Sequence, residues 1–141
     1  MISIKTIYFN YNQTYEYFLS YLLNNIEFTK YKFNILFSEI RKEEEKYTNY
    51  PIFKNKIIKG EDFKKIINKE KICISYLIIQ IYKKEETIII ENTPSDLINN
   101  LAEAIIIISD ITNIEIHFNN ESLRTTIKNN LSNRKIKFKE R

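Results

Sequence analysis

Residues 105–108 of the 141-residue chain are four consecutive isoleucines, and they restrict the fold more than any other stretch. An unbroken β-branched run suits a strand buried on both faces better than a half-exposed strand with strict alternation, which places it at the centre of a sheet. Ser109, Asp110, Thr112 and Asn113 then cluster as turn residues, since Asp and Asn side chains bond nearby backbone groups. A second arm, residues 114–118, alternates Ile114, Ile116 and Phe118 with Glu115 and His117. That pattern predicts one face on the core, one toward water, and a position nearer the sheet edge.

The remaining segments read as layers around this hairpin. Residues 2–9 form a first strand and Thr14 caps a helix carrying Phe18, Leu19, Leu22 and Leu23, with Asn24 and Asn25 ending it. In residues 31–40, Tyr31, Phe33, Ile35 and Phe37 alternate with Lys32, Asn34, Leu36 and Ser38, a second strand. Residues 52–58 give a short strand or extended arm before Gly60, the single glycine. That glycine reads as a backbone hinge with a permissive dihedral. A short helix follows, with Phe63, Ile66 and Ile67 on one face and Glu61 and Asp62 in its first turn.

Residues 72–82 are a long strand apolar on both faces, with Ile72, Ile74, Tyr76 and Ile78 on one side and Cys73, Leu77, Ile79 and Ile81 on the other. The charged link 83–86 leads to another strand at 87–91, and Thr93, Pro94 and Asp96 mark the start of a helix. Asn119 or Asn120 caps a last helix with Leu123, Ile127 and Leu131. The tail 134–141, RKIKFKER, is expected to be a final strand whose lysines deter edge pairing; the other reading is a basic arm on phosphates. Strands and helices interleave without a repeat. The expected fold is therefore one α+β domain over residues 1–141, a mixed, mostly antiparallel sheet with about three short helices packed largely on one face.

Four stretches taken in order, FTKYKFNI, PIFKNKIIKGEDFKKII, ISYLIIQIYKKEE and AEAIIIISDITNIEIHFNN, carry a resemblance to a small family of uncharacterised proteins found mainly in bacilli. The shared pattern is one of strands, a Gly-acid-x-Phe turn and an Ile-x-Asp turn. It implies a single domain and transfers no functional residue.

The inventory for chemistry is short. His117 is the one histidine, Cys73 the one cysteine, and Asp62, Asp96 and Asp110 the three aspartates, each with a cap or turn role. No intramolecular disulfide is possible and no His pair exists for a metal. The lone glycine makes neither familiar phosphate-binding loop. The glutamates at 43–45 lack the spacing of a calcium loop and read as a solvated run. Neither cofactor nor metal is expected, and Glu115 beside His117 reads as surface decoration before it reads as an acid/base pair.

The net charge of +4 comes from Lys far more than Arg, alongside 29 Ile and 17 Asn, which is the imprint of an A/T-rich genome and weak evidence about partners. The start of the chain has no signal-peptide pattern, and no apolar run approaches the roughly 18 residues of a membrane span. A cytoplasmic bacterial protein without a membrane partner is expected. By elimination, the sequence points to a non-enzymatic protein-binding module, such as an inhibitor or a toxin-immunity-like protein, with a homodimer through an edge strand as one mode. Nucleic-acid binding through the Lys-rich surface and basic tail is the alternative. Candidate contact residues are Tyr11, Tyr15, Tyr17, Glu115, His117, Arg134, Lys135 and Lys137, because Tyr and basic residues suit interfaces.

One consequence is testable from the sequence alone. Cys73 lies between Ile72 and Ile74 in an apolar strand, so its thiol should react slowly with a thiol reagent in the native protein and fully after denaturation. Rapid native labelling would refute its burial.

Overall fold

The computed structural model describes residues 2–8, 18–42, 53, 56–69, 72–88, 102–109 and 113–141; the side chains at 2, 3, 5–8, 41, 42, 72 and 73 are outside that description. Cys73 thus has a described backbone only. The expected capping site at Thr14, the strand arm beyond 88 and the helix after Thr93 also lie outside the described residues.

The described strands are β1 (Ile2–Tyr8), β2 (Tyr31–Lys42), β3 (Ile57–Lys59), β4 (Ile72–Lys83), β5 (Ala104–Ser109), β6 (Asn113–Phe118) and β7 (Lys137–Glu140). They form one seven-stranded sheet in the order β3-β2-β4-β5-β6-β1-β7. Every pairing within it is antiparallel. The helices are α1 (Phe18–Leu22), α2 (Gly60–Lys69) and α3 (Glu121–Asn133), with a 3-10 turn at Phe28–Lys30. The protein is a single-domain α+β fold.

β5 occupies the middle of the sheet, as its isoleucine run demands. Ala104, Ile106 and Ile108 belong to the main core, while Ile105 packs on the opposite face with Tyr82 and Ala102. β6 pairs with β5 on one side and β1 on the other, so it is an interior strand and not the near-edge strand its alternation suggests. The N-terminal strand reaches across the whole chain to fill that place, a long-range pairing no local pattern encodes.

The three described helices lie on the face that carries the main core. α3 is capped by Asn120, whose side chain accepts from Leu123 N at 3.0 Å, and it buries Leu123, Ile127 and Leu131. Asn130, also buried, donates through Nδ2 to Leu22 O at 2.8 Å and Asn24 O at 2.9 Å. It thereby satisfies carbonyls at the end of α1 that have no partner within their helix. The chain leaves α1 through Asn25 at φ 67°, a conformation that Asn tolerates better than most residues.

Two bulges reset the alternation of the long strands. The β2–β4 register shifts between Ile35 and Phe37 and again between Glu39 and Ile40. The first turns Phe37 away from Phe33 and Ile35. The second inserts an extra residue near Ser75, so Ile74 joins Leu77, Ile79 and Ile81 in the main core instead of opposing them. An extra residue in one strand rotates all that follows to the other face.

The tail forms β7 on β1, with Phe138 packed against the core and Ile136 buried. Both sheet edges are blunted, β3 by having three residues and β7 by Lys137 and Lys139.

Gly60 opens α2 directly after β3, and it does not have a positive φ. Its role is close approach instead of the permissive dihedral expected from sequence. A Cβ at this position would lie 1.7 Å from Phe28 O and 2.7 Å from Tyr31 O. That proximity lets α2 set Phe63 on Phe33 with ring centroids 4.0 Å apart, flanked by Phe53 at 5.5 Å from Phe63 and Phe28 at 5.9 Å from Phe33. Gly60→Ala should lower stability by about 1–3 kcal/mol, the usual cost of forcing atoms into a packed site. An unchanged denaturation midpoint would show that the 28–31 backbone moves aside freely.

Candidate functional site

The sheet face away from the helices holds the side chains of the second alternation. A polar row runs across it: Asn34 is opposite Gln80, Gln80 opposite Ile105, and Ile105 opposite His117. Asn34, Gln80 and His117 are all buried. Asn34 Nδ2 donates to Gln80 Oε1 at 2.9 Å, and the Tyr82 hydroxyl approaches the same oxygen at 3.4 Å. Asn34 Oδ1 and His117 Nε2 make no hydrogen bond.

His117 is only 9% exposed, so the reading of it as surface decoration is corrected. The face that its strand turns from the main core is a second buried layer, with Ile105 beside it. Glu115 remains 42% exposed at its side chain, and its Oε1 stands 2.8 Å from His117 Nε2. The ring N–H is not aligned along this contact, since Nε2 forms no hydrogen bond; it is a charge contact that exists when the ring is protonated. Among the described residues, no group of three His, Cys, Asp or Glu side chains converges as metal ligands.

The same face also carries exposed apolar side chains. Phe37 is 51% exposed, Tyr76 38% and Ile57 53%. Phe37 pairs with Ile78 and Ile57 with Asn34, placing both on this face. The Phe37 and Tyr76 rings meet edge to face at 6.5 Å. Sequence reasoning missed Phe37 because perfect alternation puts it with Phe33 and Ile35. The signal that could have found the bulge is Leu36, an apolar residue at a position where the alternation calls for a polar one.

The other sequence-proposed contact residues do not gather into one patch. Tyr11, Tyr15 and Tyr17 lie outside the described residues. Arg134 stacks over Tyr21 on the helical side, its guanidinium 4.8 Å from the ring centroid. Lys135 is the turn residue at φ 58°, and Lys137 sits exposed on edge strand β7. His117 and Glu115 occupy the opposite face.

The tail is tied down by charge. Glu140 Oε2 lies 2.6 Å from Lys128 Nζ and its Oε1 accepts from Arg124 Nε at 2.9 Å, while Arg124 also reaches Glu121. Hydrogen bonds from Lys128 and then Arg124 hold the Glu140 carboxyl below its ordinary value of 4.5, and the same bonds to Glu140 and Glu121 raise Arg124. Elsewhere, burial and then the charge of Glu103 raise the Tyr31 phenol. On the helical side, Ile26, Phe28, Thr29, Glu61, Lys64, Lys65 and Lys69 border an open cleft of about 910 Å³ between the 3-10 turn and α2.

These elements define a small α+β protein whose described sheet is covered by the described helices on one side and carries a mixed polar and apolar face on the other. The chain belongs to the family described as protein of unknown function (DUF2691), whose model matches residues 4–140. No curated protein and no solved structure matches it. No helix among the described residues is long and apolar enough to cross a membrane.

The pH dependence of the tail contact has a definite sign. Because the folded carboxyl of Glu140 is depressed, its contribution is present above about pH 4.5 and is lost as pH falls through the lowered folded value. Glu140→Gln should therefore be less stable than the wild type at neutral pH, and the difference should shrink on acidification, read from melting curves across that range. A difference independent of pH would show that charge does not hold the tail.

Proposed function

We propose that the protein is a cytoplasmic, non-enzymatic binding module, inhibitor-like or immunity-like, that engages another protein through Phe37, Tyr76 and Ile57. The observation that carries this reading is the exposure of three large apolar side chains on one sheet face, two of them aromatic and in mutual contact. Aromatic side chains are enriched at interfaces and account for much of their affinity. Exposed apolar side chains gathered on one face, unlike scattered single ones, mark an interaction site. His117 and Glu115 would then serve the fold and not a reaction.

A partner recovered with the wild-type protein from its native cell and identified should bind again when both are purified. The combined change Phe37→Glu and Tyr76→Glu should weaken that binding by at least about tenfold with little effect on folding, since both rings are already partly in water. Affinity should change little with salt, whereas phosphate contacts to a nucleic acid would lose it steeply. Glu115→Gln should leave binding intact. Undiminished binding by the double variant, or a catalytic activity abolished by Glu115→Gln in a folded protein, would overturn the reading.

A further inference from the structure

The cleft beside α2 has a chemistry of its own. Glu61, Lys64, Lys65, Asn68 and Lys69 recur at intervals of three and four along the helix, which places them on one stripe facing the 26–29 turn. The stripe spans about 12 Å at 1.5 Å per residue. The opposite wall and floor are Ile26 and Phe28, both buried among the core side chains. Lys64 Nζ sits 5.7 Å from the centre of the Phe28 ring, and Asn68 is held by the Ser20 hydroxyl of α1.

The charges do not cancel. Glu27 is taken by Lys30, 2.7 Å away, an interaction that also raises the lysine's affinity for its proton. Glu61 lies in the first turn of α2, where the free N–H groups of the helix start favour an acid. No carboxylate of the described residues stands within ion-pair range of Lys64, Lys65 or Lys69. Three ammonium groups therefore rim an open groove whose walls are apolar ring and lysine stem.

We propose that this groove docks an acidic segment of a partner protein, an extended run of Asp and Glu around one large apolar side chain. Charge complementarity selects an anion. Its form follows from the shape of the stripe: a small-molecule site closes around its ligand and converges a few polar groups on one point, whereas these lysines are spread over about 7.5 Å of an open wall that runs about 12 Å from residue 61 to residue 69. An extended peptide covers that length with about four residues at 3.3 Å each. The groove lies on the helical side, away from Phe37 and Tyr76, so the two surfaces are separable by mutation.

Fluorescence anisotropy on the full chain tests it with a labelled peptide in which one Phe is flanked by Glu and Asp. Binding should weaken by about tenfold or more when Lys64, Lys65 and Lys69 are all changed to Glu. It should hold when Lys135, Lys137 and Lys139 are changed to Glu, which alters the net charge equally. Replacing the peptide's Phe by Ala, or its acids by the corresponding amides, should also weaken it. If the Glu variant melts early, the three Lys→Gln changes at the same positions take its place. Equal loss in both lysine sets would reduce the effect to net charge and overturn the proposal, as would absence of binding or indifference to the peptide's Phe. Displacement of the peptide by a single-stranded oligonucleotide through Lys64, Lys65 and Lys69 would reassign the groove to nucleic acid.

Discussion

The pairing of β4 with β5 is the interaction on which the remainder of the molecule depends, because these are the strands that must be buried on both faces. Leu77, Ile79 and Ile81 of β4 and Ile106 and Ile108 of β5 enter the helix-covered core, while Tyr82 and Ile105 are buried on the other side. A sheet that buries both faces at its centre requires two covering layers. The helical layer meets that requirement on one side. On the other side the cover is graded, from the buried Asn34 and Gln80 to the exposed Phe37 and Ile57.

The buried polar row has a structural meaning distinct from chemistry. Asn34 donates to Gln80 across the β2–β4 pair only in the observed register. A slip by one residue would set an amide against isoleucines and leave it unpaired. Buried polar groups in this arrangement specify alignment in strands that are otherwise nearly uniform in isoleucine, where apolar packing alone discriminates poorly between neighbouring registers. His117 on the same row differs, since its Nε2 forms no hydrogen bond and has the Glu115 carboxylate 2.8 Å away.

Much of this architecture was legible in residue patterns. The central place of residues 105–108, the Asn120 cap, the α3 stripe of Leu123, Ile127 and Leu131, and the terminal strand all followed from local rules. What escaped was of two kinds. The bulges beside Phe37 and Ile74 are defects of periodicity, detectable only where a residue such as Leu36 spoils an alternation. The interior position of β6 and the burial of His117 depend on the arrival of distant segments, and nothing within residues 113–118 encodes that. Gly60 shows the same limit: a glycine forced by the carbonyls of residues 28 and 31 looks, in sequence, like one chosen for its dihedral freedom.

The described strand that stands first in sequence pairs only with the two that stand last. Among the described residues, β1 has no strand partner nearer in sequence than β6 at residues 113–118, and its other edge is closed by β7 at 137–140. Residues 2–8 therefore find neither of these strand partners until residues 113–118 and 137–140 are in place. Local pairs such as β5 with β6 need only a short loop to close, whereas β1 must pay the entropy of a loop spanning most of the molecule. Its insertion between β6 and β7 brings the two chain ends into register and converts the β2–β6 array from an open sheet into the finished one. Completion of the sheet thereby depends on its most distant segments meeting, and a product lacking β1 would expose the edge of β6 as a template for another molecule's strand.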